Sequence, residues 1–266
     1  MISKILLVLD NPLYLNDYRK VGVTTFLFPL KGFCVGYREY SLDEINKIDV
    51  SNKYLLVNRV LDCKGIDAFK KIIANFQGIK GIFFEDIGVY QSLKNVNYSG
   101  EMILFQNHFN CNQKSIDFWL DRVNSVVVSN ELTYKELEYI ASNVKGEIVL
   151  HLYGYNQVMY SRRKLLTNFY NEFELDKHDK RVIEDKATHV KFRAYENEYG
   201  TVMYSEKIFN GHKLLNLDNV KYFYVNSTLI NHDLLMSFLK DVNRPLDNEE
   251  DDGFLEKETI YKLKER

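Results

Sequence analysis

The sequence predicts an α/β fold in which strands and helices alternate around one parallel sheet closed into a (β/α)8 barrel. Three observations carry this. Short apolar runs recur eight times along 266 residues, and most are followed by a stretch of helical period. The runs are nearly continuous in apolar residues, as strands covered on both faces are. No glycine-rich phosphate loop follows the first run, so an open doubly wound sheet, the alternative, lacks its main support. Hydrophobic residues make up 45% of the chain, enough for a large core, and the length suits a TIM-like barrel.

The elements follow in order. The first strand is expected over Lys4–Asp10 and the second over Thr25–Pro29, before a helix that Ser41 and Glu44 open as a capping box. Tyr54–Val60 reads as the third strand. Gly65–Phe76 places Ile66, Phe69, Ile72, Ile73 and Phe76 on one helical stripe. Gly81–Asp86 is the fourth strand, with a short helix over Val89–Leu93. Glu101–Asn107 is the fifth, with a helix over Lys114–Val123 carrying Ile116, Trp119 and Leu120. Ser125–Ser129 is the sixth, and Thr133 and Glu136 open the helix Thr133–Val144. The seventh strand starts at Glu147 and ends where the polar segment from Tyr153 begins. The eighth comes only at Tyr222–Asn226, before a last amphipathic helix, Asp233–Val242.

Between the seventh and eighth strands the pattern changes. Residues 171–189 are dense in both charges and read as a mobile loop. Residues 190–206 alternate around Asn197–Gly200, a β-hairpin insertion before the last strand. This gives a single barrel domain over residues 1–244. The acidic, charged tail, 245–266, reads as a solvated appendage.

A formal net charge of −2 gives no global attraction to nucleic acid, so any such binding needs a local patch. No apolar run approaches the length of a membrane span, and the N-terminus enters a strand without a cleavable signal pattern, so a soluble, cytoplasmic protein without membrane contact is expected. Cys34, Cys63 and Cys111 are scattered and form no CxxC pair, which argues against a disulfide framework and a four-thiolate metal site.

In a parallel barrel, chemistry sits at the C-terminal ends of the strands. Polar groups expected there are Asn58, Arg59, Glu85, Asp86, Asn107, His108, Asn130, Glu131, His151 and Asn226. Glu131 and His151 form the candidate catalytic pair, a carboxylate and an imidazole for acid–base work. A histidine between two leucines is more often a core residue bonded to a neighbour, which is the alternative. Arg162 and Arg163, beside Tyr153 and Tyr160 where the seventh strand ends, suit a phosphate or carboxylate, with Asn107 completing the substrate-binding set. An ordinary solvated helix start, with the tyrosines in the core, is the alternative. No HExxH motif and no nucleophile elbow around Ser129 or Ser161 is present.

The stretch Tyr153–Lys164 resembles the signature of the collagenase-like peptidases of family U32, His-Gly-x-x-Cys-x-x-Tyr-Ser-Gly-x-Cys. Gly154, Tyr160 and Ser161 match it, whereas Tyr153 stands at its His, Arg162 at its second Gly, and Gln157 and Lys164 at its cysteines. Phe84–Tyr90, Gln106–Asn112 and Val127–Leu137 resemble further segments of the family, so the likeness spans roughly Leu15 to Val242. The resemblance implies a barrel with a hairpin before its last strand. It also implies a branch similar to the tRNA wobble-uridine 5-hydroxylation proteins, whose four cysteines hold an iron–sulfur cluster. With those cysteines replaced, no metal or bound cluster is expected here, because an amide and an ammonium cannot stand in for soft thiolates. The expected role is then in complex with a cluster-bearing homologue, with tRNA as a partner and prephenate or another small carboxylate as a ligand. The alternative is a peptidase or hydrolase of unknown catalytic type.

Overall fold

The computed structural model describes residues 2–106 and 108–257. Its strands are β1 (Ile5–Val8), β2 (Thr25–Pro29), β3 (Asn52–Val57), β4 (Gly81–Phe84), β5 (Glu101–Leu104), β6 (Ser125–Val127), β7 (Ile148–Ser161), β8 (Lys180–Glu184), β9 (Lys191–Asn197), β10 (Gly200–Asn210), β11 (Val220–Asn226) and β12 (Glu250–Asp251). The helices are α1 (Leu15–Lys20), α2 (Leu42–Lys47), α3 (Cys63–Ile72), α4 (Ile87–Asn95), α5 (Gln113–Leu120), α6 (Tyr134–Asn143), α7 (Leu165–Glu172) and α8 (His232–Lys240).

Strands β1 to β7 pair in parallel in sequence order, and β11 pairs in parallel with both β1 and β7, so eight strands close a ring. The protein is a (β/α)8 barrel with extra strands outside the ring. Helix starts carry the side chains the backbone needs there. Asp62, Asp86, Asn112 and Asn231 accept N–H bonds at the first turns of α3, α4, α5 and α8. Ser41 and Thr133 close the two capping boxes.

The core has two layers, as the strand period of two requires. Leu6, Val8, Leu27, Tyr54, Leu56, Phe83, Ile103, Phe105, Val127, Val149, Tyr222 and Tyr224 fill the ring, and the alternate residues pack outward under the helices. Polar contacts close the N-terminal end. Tyr54 Oη lies 2.9 Å from Tyr222 Oη and donates to Glu101 Oε2, which also pairs with Lys221 at 2.9 Å. Among the described residues no helix is long and apolar enough to cross a membrane.

Three expectations need correction. The seventh strand does not stop near Tyr153. β7 continues to Ser161 because its second half leaves the ring and pairs antiparallel with β10. The segment 171–189 is not all loop, since α7 runs to Glu172 and β8 pairs with β9 over Lys180–Glu184. The tail from Pro245 is not merely solvated. β12 pairs with β10, the Leu255 carbonyl accepts from Tyr134 N, and Leu255 is buried. Glu250, in the middle of the acidic run, has a fully buried side chain. It takes Arg244, Tyr153 Oη, Asn210 Nδ2 and Asp247 N.

Strands β7, β10, β9 and β8 thus form an antiparallel extension that lies against the loop after β2. Tyr204 Oη donates to the Gly36 carbonyl, Asn197 Nδ2 to the Cys34 carbonyl at 3.0 Å, and the Arg59 guanidinium lies 4.1 Å from the Tyr199 ring centre.

Candidate active site at the barrel mouth

The β2–α2 loop inserts Cys34 and Tyr37 into the C-terminal end of the ring. Cys34 Sγ donates to the Leu56 carbonyl, and Tyr37 Oη sits 3.1 Å from Tyr224 Oη. The loop is held by Asn58, whose amide bonds both the N–H and the carbonyl of Val35. The Tyr224 ring packs 5.3 Å from the His151 ring and 5.5 Å from Phe105.

Glu85 follows β4 on the inward side, two residues after Phe83. Burial, and then the neighbouring Asp86 charge, push its carboxyl up to about 8. Its charge is felt at Cys34, Tyr37 and Tyr160. Asp86 has a different task, accepting the N–H groups of Gly88 and Leu61. A carboxylic acid that holds its proton near neutrality, at the end of a barrel strand, suits proton transfer.

His151 is 7% exposed and shares Asn156 Oδ1 with Asn130 Nδ2, at 2.9 and 2.7 Å. Because Asn130 donates to that oxygen, the oxygen is an acceptor and His151 Nδ1 carries the proton toward it. Nε2 is buried without a hydrogen-bond partner among the described residues. Burial lowers the imidazole to about 4, only partly offset by Asn156, so the ring is neutral at physiological pH.

The predicted residues do not all meet. Glu131 does not pair with His151: it stands exposed on the β6–α6 loop, with Oε1 3.2 Å from His108 Nδ1. The physical reason is depth, since His151 points into the ring and Glu131 lies on the rim. Tyr153 is not at the mouth either. The β7–β11 ladder slips between Tyr224 and Val225, and the extra residue turns Tyr153 to the outer layer. There it stacks on Phe238 at 3.9 Å and donates to Glu250.

Asn107 lies outside the described residues. Tyr160 is partly buried on the extension, within the field of Glu85, Arg59 and Arg162, and its hydroxyl is raised first by burial. Arg162 and Arg163 are exposed, and among the described residues neither guanidinium has a hydrogen-bond or carboxylate partner. The next helix does not use them: α7 is capped from β9, where Glu196 accepts the N–H groups of Leu166 and Thr167. The charges of Arg162 and Arg59 both reach Asp62, which is held below its ordinary value first by the Gly65 N–H.

Sequence reasoning missed Tyr37 and Tyr224, and named Glu85 without choosing it. Its signal was the period of two after Phe83. Nothing local marks Tyr37, which reaches the ring from a loop.

Two opposed titrations give a test. Glu85 keeps its proton in the fold up to about 8, above its ordinary 4.5, so stability falls as pH rises through that interval. His151 resists protonation down to about 4 against an ordinary 6.5, so stability falls as pH drops through that interval. The slopes oppose each other where the intervals overlap, and above it Glu85 acts alone. Urea unfolding of Glu85→Gln should match the wild type in mild acid and exceed it in mild alkali. Equal stability of the two proteins in alkali would remove Glu85 from the buried mouth.

The residues present do not fit an iron–sulfur cluster. Cys34 is buried and bonded to a carbonyl, Cys63 is exposed on α3, and Gln157 and Lys164 stand at two of the resembled ligand positions. Among the described residues no three His, Cys, Asp or Glu side chains gather where a metal ion can be held.

No curated protein matches the chain. Among solved structures, the U32 peptidase Mk0906 is similar with a TM-score of 0.46 and 10% identity, over 57% of this chain and 69% of that one. A chitinase from Chromobacterium violaceum ATCC 12472 is similar with a TM-score of 0.40 and 11% identity, over 91% of this chain and 100% of that one. The model of peptidase family U32 matches residues 38–224, well over half of the chain, from the β2–α2 loop to the closing strand, and the chain belongs to that family.

Proposed function

We propose that this protein serves tRNA wobble-uridine 5-hydroxylation beside a cluster-bearing relative, itself binding no cluster and holding an anionic ligand at the barrel mouth. The ligand is an RNA phosphate or a small carboxylate such as prephenate. The observation that carries the reading is the pair Arg162 and Arg163, exposed beside Tyr160 and unpaired among the described residues. Forked guanidinium groups donate to two oxygens of such an anion at a time, and Tyr160 offers a ring beside them. Each charge-assisted contact is worth about 1.5–3 kcal/mol, so losing one weakens binding about ten- to a hundredfold.

Replacing both arginines by alanine should leave the melting temperature within about 1–2 °C, as exposed side chains do, while tRNA or prephenate binding drops. The decisive measurement is mass spectrometry of tRNA nucleosides from a deletion strain. Unchanged 5-hydroxyuridine derivatives sink the reading.

Glu85 supports a second reading, hydrolysis with this carboxyl as the proton donor rather than Glu131 and His151. Purified protein should then cleave gelatin or collagen-derived peptides, and Glu85→Gln should not. No cleavage by the wild type removes it.

A further inference from the structure

We infer that β8 is the contact through which two copies of this chain join. β8 ends the sheet, and among the described residues its second edge has no strand beside it. All but Ile183 of its residues are exposed, Val182 at 54%. An edge of this kind offers a row of unpaired backbone groups to another strand.

The ladder shows which groups are free. The Asp179 carbonyl accepts from Glu196 N, and Asp185 N donates to the Val190 carbonyl. In an antiparallel ladder, bonded pairs alternate with non-bonded ones, so Arg181 and Ile183 also bond inward to β9. Lys180, Val182 and Glu184 therefore turn their N–H and carbonyl groups to the open edge.

The side chains select the occupant. In an antiparallel pairing of β8 with a second β8, centred on Val182, those three residues make the bonded pairs. Val182 faces Val182 of the second copy, Lys180 faces its Glu184, and Glu184 faces its Lys180. Lys180–Glu184 is thus complementary to itself when reversed, and a two-fold axis satisfies both ion pairs at once. A slip of one residue brings the inward-bonded Arg181, Ile183 or Asp185 to the joint and so breaks the use of the free backbone groups.

One face of the joint continues a surface already apolar. Ile183, Leu165, Phe169 and Met203 line a groove between α7 and the extension, and Phe169 on α7 and Phe173 just past its end stay exposed. Bringing two such grooves together across the axis covers them.

Sedimentation over a concentration series tests this, with circular dichroism to confirm that each variant folds. The wild type should show a monomer–dimer equilibrium. Lys180→Glu and Glu184→Lys alone each put like charges opposite one another and should weaken it about tenfold or more. The double exchange, Lys180→Glu with Glu184→Lys, restores complementarity and should restore the dimer. Val182→Pro removes an outward N–H and should abolish the dimer without opening β8 from β9. A wild type that stays monomeric overturns the inference and leaves the edge for a foreign strand. A dimer indifferent to Lys180→Glu and Val182→Pro overturns it in favour of another face.

Discussion

Arg244→Met should lower stability by about 3 kcal/mol, or about 6–12 °C in Tm, although Arg244 only precedes the acidic tail and its partner, Glu250, sits within it. The effect comes from Glu250, whose side chain has no exposed surface while Arg244 keeps 13%. Removing the cation leaves a buried carboxylate with Tyr153 Oη, Asn210 Nδ2 and the Asp247 N–H as its support. Burial raises the Glu250 carboxyl, but Arg244 and the three hydrogen bonds outweigh it, so the net shift is downward. That contribution is complete above the ordinary carboxylate range and is lost as pH falls through the lowered folded value. The penalty of Arg244→Met should accordingly be full at neutral pH and shrink in strong acid. Glu250→Gln, which keeps the shape and can still bond Tyr153 or Asn210, should cost less than Arg244→Met. Chemical denaturation at neutral and acid pH measures all of this. A Tm within about 2 °C of wild type for Arg244→Met would return the tail to the role of an appendage.

The ring was legible because its cause is local. Continuous apolar runs, capping residues such as Ser41 and Thr133, and helical stripes all repeat at short range, and they became the elements expected. The site was legible in outline only, because many strand-end polar groups brace loops instead. Asn58 ties down Val35, Asp86 caps α4, and Asn130 holds Asn156. Which carboxyl faces the filled mouth depends on Tyr37 and Cys34 arriving from another loop, and no spacing encodes that. Tyr153 was misplaced by a single slip in the ladder, which reverses the face of every later residue in the ring part of β7. The tail was misread because Glu250 differs from Glu249, Asp251 and Asp252 only in its contacts across the fold.

Gly154→Ala should be among the most damaging small changes in the chain, at about 4 kcal/mol. Gly154 has φ +134°, in the half of conformational space that side chains avoid, which by itself costs about 1–2 kcal/mol. A Cβ there would also meet the Asn226 carbonyl oxygen at 2.5 Å and Asn226 Cβ at 2.8 Å. The carbonyl belongs to the last residue of β11, so it cannot swing aside like a side chain, and overpacking of this kind adds about 1–3 kcal/mol. The position is where β7 leaves the ring, pairing with Phe209 of β10 while passing the end of β11. A clash there pushes the antiparallel extension away from the loop that carries Tyr37. Gly78→Ala separates the two causes, because Gly78 also has positive φ, +68°, but open space where its Cβ would be. Urea unfolding should show Gly78→Ala losing about 1–2 kcal/mol and Gly154→Ala roughly twice as much or more. Hydrogen exchange in Gly154→Ala should rise first in β9 and β10, before the ring strands β1 to β6. Equal losses at the two glycines would mean that the ring absorbs the methyl group, and that the close approach of Gly154 to Asn226 does not set the path of β7.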